Sequence, residues 1–162
     1  MASATKTGRR KLSFASLDEV VLDAENLKAK GYEKAGNWDL AQVCLHLADW
    51  MTFPIDGFPK PPLPIHLMLW MLRITIGKKI LRTILAEGGM RAGSSTMPQT
   101  VKMPCGDPTT AIANLRETVN KFKAFTGTIK PSPLFGAMNK DEATRLQLVH
   151  CAHHLGFLVP KS

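Results

Sequence analysis

The chain has 162 residues, 44% hydrophobic and 21% charged, which are the proportions of an ordinary globular protein with one core. Cys44, Cys105 and Cys151 are too few and too scattered for a disulfide framework, and the basic N-terminus lacks the apolar core of a signal peptide, so a cytoplasmic protein is expected. The net charge of +8 is spread along the chain with one short cluster, Arg9, Arg10 and Lys11, and no interleaved aromatic residues, which argues against nucleic acid and fits a solvated surface or a small anionic substrate.

Residues 1–11 read as a flexible arm, followed by one helical domain over residues 12–162. Ser16 and Glu19 have capping-box spacing and predict a helix near 16–30, with Leu17, Val20, Val21, Ala24 and Leu27 inward and Gly31 at its end. Asn37 is the expected cap of a second helix, 38–53, with His46 at its middle. On the helical wheel His46 stands between an apolar stripe (Val43, Trp50, Phe53) and two polar groups, Gln42 and Asp49, as on the wall of a pocket. Gln42, one turn earlier, is placed to hydrogen-bond the free ring nitrogen of His46. Prolines 54, 59, 61, 62 and 64 should end this helix and stiffen a crossover connection.

Residues 64–86 predict an additional or distorted helix. Its apolar run is broken by Arg73, Lys78, Lys79 and Arg82, too charged to span a membrane. A core helix with a solvated basic face is the preferred reading, ahead of a helix resting on an anionic membrane surface. His66 reads as a helix-entry or surface residue rather than a ligand. Residues 87–106 are rich in glycine and proline without periodicity, the composition of a functional loop or lid. Cys105 lies just before a helix capped by Asp107 with Pro108 at its first position, where a thiol can have a lowered pKa. That helix covers 109–125, with Ile112, Leu115, Val119 and Phe122 inward.

Asn139 and Glu142 open the last helix, expected over 140–158 with Pro160 as its stop. Beyond Arg145 it is largely apolar, yet it carries His150, His153 and His154. His150 and His154 fall one turn apart on one face, the i, i+4 spacing by which a helix chelates a metal, with His153 on the flank. A core histidine bonded to a backbone carbonyl is the plainer reading of any one of them; two stacked on an apolar helix favour a metal. The elements together predict an all-α four-helix bundle with long connecting loops, its regular helices near 16–30, 38–53, 109–125 and 140–158.

The histidine in LAQVCLHLADW (His46) and the pair His150 and His154 resemble the DinB/YfiT-like superfamily of metal-binding four-helix bundles. The segments RRKLSFASLDEV, GNWDLAQVCLHLA, Met103–Gly106 and PLFGAMNKDEATRLQLVHCAHHLGFLVP are similar to one bacterial branch of it. The resemblance implies that His46, His150 and His154 hold a divalent ion, with His153 a neighbouring pocket residue. Other branches include transferases that use bacillithiol or mycothiol and a thiol-dependent maleylpyruvate isomerase. A metal-dependent transferase or hydrolase, with a small-molecule substrate and a low-molecular-weight thiol as co-substrate, is therefore one expectation. Zinc or nickel suits three imidazoles, with manganese or iron as alternatives. Asp49 is the first candidate for general base or orienting group, and His153 the second. The rival expectation is a non-catalytic, metal-stabilised bundle that binds a ligand or partner, including a second copy of itself.

Overall fold

The computed structural model describes residues 8–91, 100–104 and 107–161. Helix α1, Leu17–Lys30, starts where the Ser16 hydroxyl accepts from the Glu19 N–H, while the Glu19 carboxylate accepts from the N–H of Ala15. It ends at Gly31, whose φ of +75° suits a residue without a Cβ. Of the expected arm, residues 1–7 lie outside the described residues. Arg10 is anchored: its guanidinium donates to both carboxylate oxygens of Asp23 (2.9 and 2.8 Å) and to the Leu155 carbonyl.

After the short strand β1, Tyr32–Lys34, comes α2, Leu40–Asp56, capped by Asp39 and not by Asn37 as expected. Asp39 accepts from the Gln42 N–H at 2.8 Å, and the Gln42 side chain accepts from the Asp39 N–H at 2.9 Å. Asn37 would have faced Leu40 in that exchange, and leucine has no acceptor to return. Nor does Pro54 end the helix, which continues through it to Asp56. Proline has no N–H for the carbonyl four residues back, that of Trp50. The buried Gln147 amide supplies the missing donor, 2.8 Å from Trp50 O.

Helix α3, Leu63–Leu72, runs through a π-helical turn at Arg73–Gly77 into α4, Lys78–Glu87, the distortion expected in this stretch. Gly77 is buried where the helix crosses the 132–136 turn, and a Cβ there would collide with the Leu134 carbonyl oxygen. The core-helix reading of 64–86 needs correction. None of the side chains of α3 is buried, and only Leu81, with Ile80, Ile84 and Leu85 partly, reaches the core from α4. The sequence periodicity identified an apolar helix but carried no information about whether other elements would cover it.

Helix α5, Pro108–Ala124, is capped by Asp107 as expected and buries Ile112, Leu115, Val119 and Phe122. Helix α6, Lys140–Leu155, has a complete capping box between Asn139 and Glu142. It stops at Gly156, short of the expected 158, because Leu158–Pro160 forms β2, antiparallel to β1 with Lys34 opposite Leu158 and Tyr32 opposite Pro160. The fold is therefore mostly helical with a small two-stranded sheet. Helices α1, α2, α5 and α6 surround one hydrophobic core containing Leu27, Leu47, Met51, Leu115, Phe122 and Leu155, and α4 lies against α6.

The Gln147–Trp50 bond makes a stability prediction. Gln147→Leu strands a buried carbonyl and should cost about 1–3 kcal/mol by urea denaturation. In a Pro54→Ala background, where residue 54 regains its N–H, the same substitution should cost less; an equal cost would show that the glutamine does not serve the proline.

Candidate metal centre

His46 sits at the middle of α2, fully buried, and faces α6 where His150 and His154 occupy successive turns. The Nε2 atoms of His46 and His150 are 3.3 Å apart. Ring centroids are 4.5 Å apart for His46 and His154 and 4.7 Å for His150 and His154. One ring nitrogen from each of the three lies within 4.8 Å of the others, so the cluster could hold a metal ion. Two nitrogens bound at 2.0–2.1 Å to a tetrahedral ion lie about 3.3–3.4 Å apart, which is the His46–His150 spacing. The donor set, three imidazoles, fits a divalent transition metal.

The tautomer of His46 follows from its surroundings. Its Nδ1 is 3.0 Å from the Thr100 carbonyl, which can only accept, so Nδ1 carries the proton and Nε2 presents a lone pair to the cluster. The orienting bond expected from Gln42 is therefore made by Thr100. The Gln42 amide instead donates to the Lys102 carbonyl at 2.7 Å. Burial pushes the His46 pKa down to about 4 and that of His154 to about 2, and lowers that of His150 too, with the neighbouring imidazoles adding to the depression of the last two. All three are neutral at pH 7, the form that binds a metal.

Two tryptophans wall the cluster. Trp38 stacks on His154, centroids 5.3 Å apart and rings 6° from parallel, and meets His46 edge-on. Trp50 meets His150 edge-on at 5.3 Å. Trp50 and Gln147 also line a cavity of about 20 Å³ with Phe58, Phe135, Met138 and Leu146, room for one water molecule.

Asp49, three residues after His46, is in an ion pair with Lys102, 2.6 Å apart and about one-third exposed on each side. Residues 100–104 thus cross α2 at three points: the Thr100 carbonyl on His46, the Lys102 carbonyl on Gln42 and the Lys102 ammonium on Asp49. This is the described end of the expected loop; residues 92–99, Cys105 and Gly106 lie outside the described residues. His153 stays out of the triad and packs edge-on against His154 and Phe157. Its Nδ1 lies 3.2 Å from the Met90 carbonyl and 3.1 Å from the Arg9 guanidinium, and it can serve only one of them at a time. Burial, then Arg9, lowers its pKa. His66 is exposed, as expected. Burial raises the thiol pKa of Cys44 to about 12 and raises that of Cys151, so both stay protonated.

Sequence reasoning missed Trp38, Thr100 and Lys102. An aromatic residue just before the α2 cap was a visible signal for Trp38. Thr100 and Lys102 act partly through backbone carbonyls, which every residue has, so no side-chain pattern marks them.

Metal titration should give one ion per chain for the wild type and for His153→Ala. His46→Ala, His150→Ala and His154→Ala should each lose stoichiometric binding; retention by any of these three would remove that residue from the ligand set. The metal-free protein also carries a pH signature. Unfolded imidazoles take up protons near pH 6.5, while the folded cluster, with His46 buried and His150 and His154 half-buried, does so only at lower pH. The unfolded state therefore binds more protons below about 6.5, and stability should fall as the pH drops from there toward 4. A flat thermal-unfolding profile across that window would mean that the imidazoles are solvated.

Compared with curated proteins and with solved structures, the chain has no match. A family model described as Protein of unknown function (DUF1569) matches residues 6–161. With nearly its whole length matched, the chain belongs to that family.

Proposed function

We propose that this chain is a metal-dependent transferase or hydrolase of the DinB/YfiT-like kind, acting on a small anionic molecule with a divalent ion held by His46, His150 and His154. The observation that carries the reading is the convergence of three neutral imidazoles from α2 and α6, two of them 3.3 Å apart. The superfamily assignment is supported by that ligand pattern and by a core shared among α1, α2, α5 and α6. A zinc or nickel ion bound there, or manganese or iron, supplies Lewis-acid chemistry that lowers the pKa of a thiol or water.

The protein's own groups do the rest. Three neutral ligands leave the charge of the ion uncompensated, which favours an anionic partner such as a thiolate or carboxylate. Thr100 orients the His46 ring, Trp38 covers a face of the His154 ring, and Trp50 packs edge-on against His150. Asp49 pairs with the Lys102 ammonium, and in this reading it accepts or orients a substrate proton while Lys102 attracts the substrate's negative charge. His153, turned toward Arg9 and Met90, is the second candidate for that proton.

The test is a screen of low-molecular-weight thiols with electrophilic substrates on zinc-, nickel- and manganese-loaded protein. Wild type should turn over, and His150→Ala should not, while its circular dichroism remains helical. Asp49→Asn should lower kcat at least tenfold and keep one ion per chain. Equal rates for wild type and His150→Ala would reject the enzyme and leave a metal-stabilised binding protein.

A further inference from the structure

We propose that the helix formed by α3, the π turn and α4 docks on an anionic lipid bilayer, lying in the surface of one leaflet with the side chains of α3 among the acyl chains and the cations that flank it, Lys60 before and α4 after, on the headgroups. The first support is the way α3 is exposed. Leu67, Trp70, Met71 and Ile74 are 56%, 46%, 55% and 58% exposed, and Leu63, Ile65, Met68 and Ile76 are exposed with them. The helix is apolar all round, so it needs cover all round. A second copy packed side by side covers one face, whereas hydrocarbon covers every face.

The second support is charge. Between Asp56 and Glu87 the sequence contains no carboxylate but five cations: Lys60, Arg73, Lys78, Lys79 and Arg82. Lys78 is held to the Ala137 carbonyl, while Lys79 and Arg82 are exposed. A two-fold dimer with these helices parallel would set two identical cationic segments against each other, whereas anionic headgroups would neutralise them. Length sets the depth. The ten residues of α3 rise about 15 Å, half of the roughly 30 Å hydrocarbon core, so the helix is confined to one leaflet. No helix among the described residues is long and apolar enough to cross a membrane. Trp70, near the junction of the apolar and basic halves, suits the interfacial zone.

The experiment mixes the whole protein with vesicles of phosphatidylcholine containing phosphatidylserine, and with phosphatidylcholine alone, read by co-sedimentation and tryptophan emission. Binding is expected with phosphatidylserine, with a blue shift that Trp70→Phe removes, and it should weaken in high salt. Leu67→Glu/Met71→Glu should abolish binding, and Lys79→Glu/Arg82→Glu should weaken it by roughly tenfold or more. These side chains are exposed, so circular dichroism and thermal unfolding should match the wild type. Binding that survives Leu67→Glu/Met71→Glu would overturn the proposal. So would protein that ignores anionic vesicles, whether it sediments as a dimer dissolved by that same pair of changes, which would assign the face to a second copy, or as a monomer.

Discussion

The packing of α2 against α6 is the constraint on which the candidate site depends, and a single buried hydrogen bond helps to set its register. Pro54 deprives the Trp50 carbonyl of its helical donor, and Gln147 supplies one from the facing helix. Trp50 lies one turn after His46, and Gln147 three residues before His150. The bond that repairs the proline defect therefore sits beside the histidine cluster and opposes sliding of one helix along the other. A shift of one turn, about 5.4 Å, would separate the 3.3 Å pair completely.

Electrostatics and packing at the cluster reinforce each other. Burial keeps the three imidazoles uncharged, because the hydration an imidazolium would lose there outweighs the pull of Asp49 on His46. Neutrality leaves lone pairs free, and the Thr100 carbonyl selects which nitrogen of His46 offers one. The aromatic walls confine ring rotation. Protein contacts thus orient the rings of a cluster that could hold a metal ion. Helix α3 has the opposite character: it contributes no buried side chain and presents its apolar surface outward.

Much of this was legible in the sequence, for reasons that differ from residue to residue. Ser16, Asp107 and Asn139 announced helix starts because capping is local, and the buried positions of α1 and α5 followed from periodicity. His150 and His154 were legible because i, i+4 spacing fixes their mutual placement within one helix. That His46 joins them depends on which helices pack together, and only a resemblance to other bundles suggested it. Apart from the cap of α2, where Asp39 with Gln42 three residues on outcompetes Asn37, the errors share one cause, partners remote in sequence. Gln147 carried α2 through Pro54, β1 drew Leu158–Pro160 out of α6, and Thr100 took the orienting role expected of Gln42. Exposure of α3 was illegible for the same reason, since apolarity predicts burial but does not supply the covering element.

The central claim is that three imidazoles from two helices form one ready-made metal site. X-ray absorption at the zinc edge of stoichiometrically loaded protein tests it most directly. The account predicts three imidazole nitrogens at about 2.0–2.1 Å, no sulfur ligand, and the loss of one imidazole contribution in His46→Ala if any zinc is retained. A sulfur shell near 2.3 Å, or a spectrum unchanged by His46→Ala, would contradict it.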